Sequence, residues 1–380
     1  MRRLRAATLI AVSLLLLQSL AANAQNALPD NAQRALQWLQ CTQQQANGQM
    51  GSGGNPIARS SEVAIGLAAA GQPATAMHAG ALSLADYLKT ATSTDVGTNG
   101  ELLLARASQP DAGPTASVAA QLQASKSTSG STAGEYGGDI FSDALAILGL
   151  RADRQAVGQD AIAFLKSQQK SDGGWSFDNA DQFGTDSNTT ALVIQALLSA
   201  GVAADDVSIS KGFDYLKSVF EQGGFGNSPG AGPDPNSDEL AIQAIVAAGR
   251  QHDATWGPML NQALNYLAGQ QITSGPDNGA IASSFSKLFA TTYAPAVFLL
   301  RPLTVVGIAE TKVSLLPCPA AAATPTPVPT VTATVAPVTS PPPHLAQTGA
   351  GADRRPFLPG LVLMLIGLSI LRGEARRARN

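Results

Sequence analysis

The residues able to do chemistry are few and mostly acidic. Asp238 and Glu239 are adjacent carboxylates in Asp234-Pro-Asn-Ser-Asp-Glu-Leu-Ala-Ile-Gln-Ala-Ile-Val-Ala-Ala-Gly249, where polar residues give way to an apolar helical run. Neighbouring carboxyls tune each other, so this pair is a candidate general acid. A structural reading stands beside it, because acids in a first helical turn complement the helix dipole by about 0.3–1 kcal/mol. Asp186 opens a gapless parallel segment, Asp186-Ser-Asn-Thr-Thr-Ala-Leu-Val-Ile-Gln-Ala-Leu-Leu-Ser-Ala-Gly201, and is the third candidate acid. Cys41, Cys318, His78, His252 and His344 share no short ligand spacing, and no EF-hand spacing exists, so no metal and no cofactor are expected. Residues 26–352 carry 15 Lys+Arg against 25 Asp+Glu, a net charge of −10 that leaves no basic footprint for nucleic acid.

These residues sit in a repeat. Aromatic-Leu pairs recur at Trp38-Leu39, Tyr87-Leu88, Phe164-Leu165, Tyr215-Leu216 and Tyr266-Leu267, a spacing near 50 that marks one supersecondary unit repeated. Each unit reads as helix, Gly-rich loop, helix, with no convincing strand. Six are counted, at about 31–71, 74–108, 114–152, 155–201, 206–249 and 258–302. The second helix of each is apolar nearly all round and suits an inner ring, while the first is amphipathic and suits an outer one. A Ser or Thr opening each apolar run is expected to cap its helix. The loops Trp175–Phe183 and Gly224–Pro235 mix aromatics with amides and acids. In a ring they rim one mouth, where Phe183, Asp186, Asn188, Phe225, Asn236 and Asp238 are candidate contacts for a polar ligand. The alternative for Trp175, Phe183 and Phe225 is that they wedge between outer helices.

Phe164-Leu165-x-x-x-Gln169-x-x-x-Gly173-x-Trp175 resembles the "QW" repeat of squalene–hopene and related triterpene cyclases, with Trp38-Leu39…Gln43 and Tyr266-Leu267…Gln271 as degenerate copies. The units also resemble those of protein prenyltransferases and of the cobalamin carriers intrinsic factor and transcobalamin. The resemblance covers residues 31–302 and implies an all-α chain folded as an (α/α)6 toroid. Triterpene cyclases protonate an alkene with an Asp-x-Asp-Asp-Thr-Ala segment. The matching stretch keeps Asp186, but Asn188 and Thr189 replace the next carboxylates and cannot deliver a proton. The zinc ligands of prenyltransferases have no counterpart. In a closed toroid Cys41 and Cys318 become neighbours, and an exported chain would join them.

The two ends read as addresses. Residues 1–24 form a secretory signal: Arg2, Arg3 and Arg5, an apolar run, then Ala22-Asn-Ala24. Residues 317–344 are a Pro/Thr-rich linker. Residues 345–380 resemble a Gram-positive sorting signal, with Leu345-Ala346-Gln347-Thr348-Gly349, a hydrophobic segment at 357–371 and a basic tail. That resemblance implies a sortase as partner and attachment at the cell wall; a plain C-terminal transmembrane anchor is the alternative. The expectation is an exported, surface-anchored toroid that binds a small ligand (corrinoid, isoprenoid or glycan) or a protein without catalysis. A terpenoid cyclase-like enzyme and a structural or adhesive surface protein are the alternatives.

Overall fold

The structure, a computed structural model, describes residues 28–179 and 182–319. The signal sequence read at 1–24, the linker from residue 320 onward, Leu345–Gly349 and the hydrophobic segment 357–371 lie outside the described residues. Met1–Cys318 form one compact unit, and Pro319–Asn380 another of which only Pro319 is described. Among the described residues no helix is long and apolar enough to cross a membrane.

Six helical hairpins make up the first unit. The outer helices are α1 (28–38), α3 (Leu84–Thr90), α5 (Ala116–Ser125), α7 (Gln159–Ser167), α9 (Val207–Ser218) and α11 (Trp256–Gly269). The inner helices are α2 (Pro56–Ala69), α4 (Val96–Ser108), α6 (Ile140–Ala152), α8 (Ser187–Ser199), α10 (Pro235–Ala247) and a broken sixth, α12 (Lys287–Thr292) with α13 (Ala294–Phe298). Each inner helix packs on the next, and α12 and α13 return to α2, so the inner ring closes. The (α/α)6 toroid is the fold observed. Its inner helices are buried almost throughout. Outer helices bury one face, as α7 does with Ala161, Ile162, Phe164 and Leu165.

Every inner helix opens on a side-chain cap; Ser286 of α12 fits the sequence expectation of a Ser or Thr, and the caps of the other five do not. Asp95, Asp139, Asp186 and Asp234 accept the amides of Thr98, Ser142, Thr189 and Ser237 at 2.7–3.1 Å. Asn55 and Ser286 do the same for α2 and α12. The Ser or Thr lies three residues inside, and Ser142 and Ser237 donate their hydroxyls back to the cap. A carboxylate at the cap also complements the helix dipole, which a hydroxyl cannot.

The QW glutamines bolt neighbouring units together. The Gln169 amide donates to Gly173 O and to Ser208 O in α9, both at 2.7 Å. Gln271 does likewise for Gly279 O (3.0 Å) and Asn31 O (2.9 Å), which joins the last unit to the first. In unit 1 the bolt is Gln44, bonded to Gly48 O and Met77 O, rather than Gln43. The helix there loosens into a π-helical segment, Leu39–Gln43, which inserts one residue and shifts the motif by one. Gly173 and Gly279 follow at φ +94° and +99°, and a Cβ on either would stand 2.5 and 2.2 Å from a backbone oxygen of the next outer helix. Only glycine satisfies both demands.

Two residues beyond each such glycine lies a buried apolar residue: Met50, Tyr136, Trp175, Phe225 or Ile281. Its amide is held by a side chain of the following inner helix, namely Ser60, Asp143, Thr190, Asp238 or Thr291. Two of these loops form ribbons that the sequence did not announce. Trp175–Ser176 (β1) pairs antiparallel with Thr185–Asp186 (β2), and Phe220–Glu221 (β3) with Gly224–Phe225 (β4).

After α13 the chain runs back across the first hairpin. Ala309 and Val313 donate their amides to Ala68 O and Ala70 O, and Gln33 and Gln37 bond Ser314 O and Pro317 O. Cys318 then joins Cys41 in a disulfide, with the Cα atoms 5.3 Å apart across 277 positions of sequence.

Candidate active site

The candidate acids named from sequence take different places. Asp186 is the cap of α8, and the Thr190 hydroxyl bonds its carbonyl at 2.7 Å. Burial pushes its carboxyl up to about 6 against the hydrogen bonds it accepts from Thr189 and Asn188. Asp238 accepts the Phe225 amide at 2.9 Å, a loop-anchoring role that Asp143 repeats in unit 3 by accepting Tyr136 and Gly137. Burial raises both carboxyls, Asp143 to about 7. Glu239 is one residue on from Asp238, about 100° around the helix. It is fully buried, and neither carboxyl oxygen has a hydrogen-bond partner among the described residues. Burial first, then the carboxyls of Asp238 and Glu62, raise it well above the usual carboxylate range.

Glu62 on α2 was not singled out by sequence, and it leads to the rest of the site. It forms an ion pair with Arg59 at 2.6 Å and takes a short hydrogen bond from the Thr292 hydroxyl of α12. Glu101 on α4 faces it closely enough for the two buried carboxyls to shift each other. Burial lifts Glu62 to about 8; Arg59 opposes the rise, and Glu101 adds to it. Burial also raises Glu101, which accepts the Tyr293 hydroxyl at 3.2 Å. Arg59 lies over the Phe289 ring, 4.3 Å from its centroid. Glu62, Glu101 and Glu239 thus come from three inner helices, and the Tyr293 hydroxyl from the sixth, to form one buried acid cluster. The sequence signal was present: Arg59-Ser-Ser-Glu62 and Gly100-Glu101 put charge inside otherwise apolar inner-helix runs.

The loop residues divide. Trp175 is fully buried, donates its indole N–H to Leu165 O at 2.7 Å, and lies against Gly212 of α9. Phe225 is equally buried and packs edge-on against Phe220 at 4.8 Å. Both serve as wedges between outer elements, so Phe225 leaves the group of ligand candidates. Phe183 is half-buried and meets Phe177 edge-on, and Phe177 in turn lies tilted against Phe141 at the opening of α6. Asn188 and Asn236 occupy the same position in α8 and α10 and are nearly buried; the Asn188 Oδ1 has no partner. Among the described residues no group of three or more His, Cys, Asp or Glu side chains is placed to hold a metal ion.

No protein-family model and no curated protein matches the chain. Solved structures do. A variant of the type II terpene cyclase MstE from Scytonema, bound to its substrate geranylgeranyl dihydroxybenzoate, superposes with TM-score 0.55 at 16% identity. The match covers 74% of this chain and 99% of that one. Another variant, bound to the product merosterolic acid A, gives 0.54 at 17% identity over 73% and 98%. The chain shares their fold. At this identity the likeness is one of architecture alone, an α/α toroid. The acid cluster is this chain's own observation.

Proposed function

We propose that the ring interior is an acid site acting on an isoprenoid-type substrate, in an enzyme of the terpenoid-cyclase kind, with Glu239 as proton donor. The observation that carries this reading is Glu239 itself, a fully buried carboxyl that burial raises well above its ordinary range, without a hydrogen-bond partner among the described residues, near the start of an inner helix and within Coulombic reach of Glu62. The fold likeness supports it, since the neighbours hold an isoprenoid substrate and its product. The O–H of Glu239 would give its proton to an alkene carbon, whose π pair forms the new C–H bond. The cation left behind is captured by the next double bond, and one of the facing Glu62 and Glu101 carboxyls, in its ionised form, would take up the proton lost at the end. Incubation with squalene and with a geranylgeranyl phenol, followed by mass spectrometry, tests this. Cyclised products that vanish in Glu239→Gln support it; no product from either substrate sinks it.

A non-catalytic ligand-binding module is the second reading. It is favoured by the weakness of the buried acids, Glu62 at about 8 and Glu239 also raised well above the ordinary range, which suits holding a proton more than delivering one to carbon. A thermal-shift panel of corrinoids, isoprenoids and oligosaccharides addresses it, since a ligand at 100 times Kd stabilises by about 2.7 kcal/mol. We also propose, from the terminal sequences, that the ring is exported and held at the cell surface through Thr348. Envelope fractionation of a Thr348→Ala chain tests that step.

A further inference from the structure

Helices α8 and α10 carry a second anomaly. Gln195 and Gln243 occupy the same place in the two gapless repeats, 48 residues apart, each in the middle of an apolar run. Both are essentially fully buried. Gln243 has neither its oxygen nor its nitrogen bonded among the described residues, and Gln195 has its nitrogen free. The Gln195 oxygen is used, since it accepts the amide of Leu303 at 3.1 Å, which fixes the side chain with its Nε2 as the unspent donor. Glu239 lies four residues before Gln243, on the same face of α10. Helices α8 and α10 pack directly together. Two neighbouring inner helices therefore present a buried row of one carboxyl and two carboxamides with donors and acceptors unspent. Each such group costs about 1–3 kcal/mol when left unpaired, so nothing in folding selects this row over leucines.

We infer that Gln243 and Gln195 form a headgroup site for a ligand bearing a hydroxyl that both donates and accepts hydrogen bonds. Gln243 supplies one acceptor and one donor, and Gln195 a second donor, which complements a hydroxyl and gives a pure hydrocarbon nothing. The isoprenoid nature of the ligand's apolar part rests on the acid-site reading above; the polar head rests on these two carboxamides alone.

The probes are geranylgeraniol, which carries a hydroxyl, and squalene, which has none. Equilibrium binding of radiolabelled probes to the full chain is expected to favour geranylgeraniol by at least tenfold. Gln243→Leu should abolish that preference while its melting temperature stays level or rises, because an unpaired polar group is replaced by an apolar one. Gln243→Met serves as a second variant of similar length. If squalene binds as tightly as geranylgeraniol, or if both variants keep the preference, the headgroup site is wrong. A fall in melting temperature with the preference intact would make Gln243 a structural residue and would equally overturn it. Glu239→Gln retains a donor and an acceptor, so its hydroxyl preference should survive while cyclisation is lost. Lost cyclisation with retained preference therefore bears on the acid alone, and lost preference with retained cyclisation on the head site alone.

Discussion

Glu62 shows how a closed ring tunes one carboxyl. Burial and the facing Glu101 raise it and Arg59 restrains the rise, and the outcome is a folded-state value of about 8 against an ordinary 4.5. Asp139 and Asp186 at about 6 and Asp143 at about 7 are displaced in the same direction, each mainly by burial. The sign of the linkage follows. The folded state keeps protons on these four groups that the unfolded chain releases, so their contribution to stability is full below their unfolded values and is lost as pH rises towards 8. These groups should therefore make the melting temperature fall across that interval. Glu62→Gln should lessen the upper part of the fall, between about pH 6 and 8, where Glu62 titrates alongside Asp143. A slope unchanged by that substitution would mean that Glu62 does not hold its proton in the folded ring.

At the scale of elements, the hairpins and their period were legible because a 50-residue repeat of aromatic-Leu pairs survives substitution at other positions. What was not legible was any irregularity of one residue. The π-helical segment Leu39–Gln43 leaves no mark in an apolar pattern, yet it transfers the bolt from Gln43 to Gln44. Capping was read one turn too late, since Asp139, Asp186 and Asp234 hold the amides and the hydroxyls beside them merely support. The bolts can be checked directly. Gln44→Leu takes the side-chain donor from Gly48 O and from Met77 O, which keeps the Leu84 amide, and should cost about 1–3 kcal/mol in urea unfolding. Gln43→Leu, at a half-exposed side chain, should stay within about 0.5 kcal/mol. Asp238→Ala belongs to the same group: it orphans the Phe225 amide and should cost about 1–3 kcal/mol. A stable Asp238→Ala chain would show that its loop is held by other means.

For the whole molecule, the decisive fact is closure. The toroid was legible from the count of six units, whereas its acid cluster was not, because Glu62, Glu101, Glu239 and Tyr293 come from four helices and only the closed ring assembles them. A single sequence shows Asp238 and Glu239 as a pair; the helix sends one to a loop amide and the other to the cluster. Closure is secured three times over: by packing of α12 and α13 on α2, by the Gln271 bolt to Asn31, and by the return of residues 301–318 to Cys41. These locks are not equivalent. The packing and the bolt act inside the ring, whereas the return segment is held by hydrogen bonds spread along its length and exposes Val305, Val306 and Ile308. The covalent link fastens its far end. Reduction, or the paired substitution Cys41→Ser with Cys318→Ser, should lower stability by about 2–5 kcal/mol. It should also make residues 301–317 the first site cut in limited proteolysis, before any inner helix is reached. If reduction changes neither the unfolding midpoint nor the first cleavage site, the return segment is held by its hydrogen bonds, and the ring closes without the disulfide.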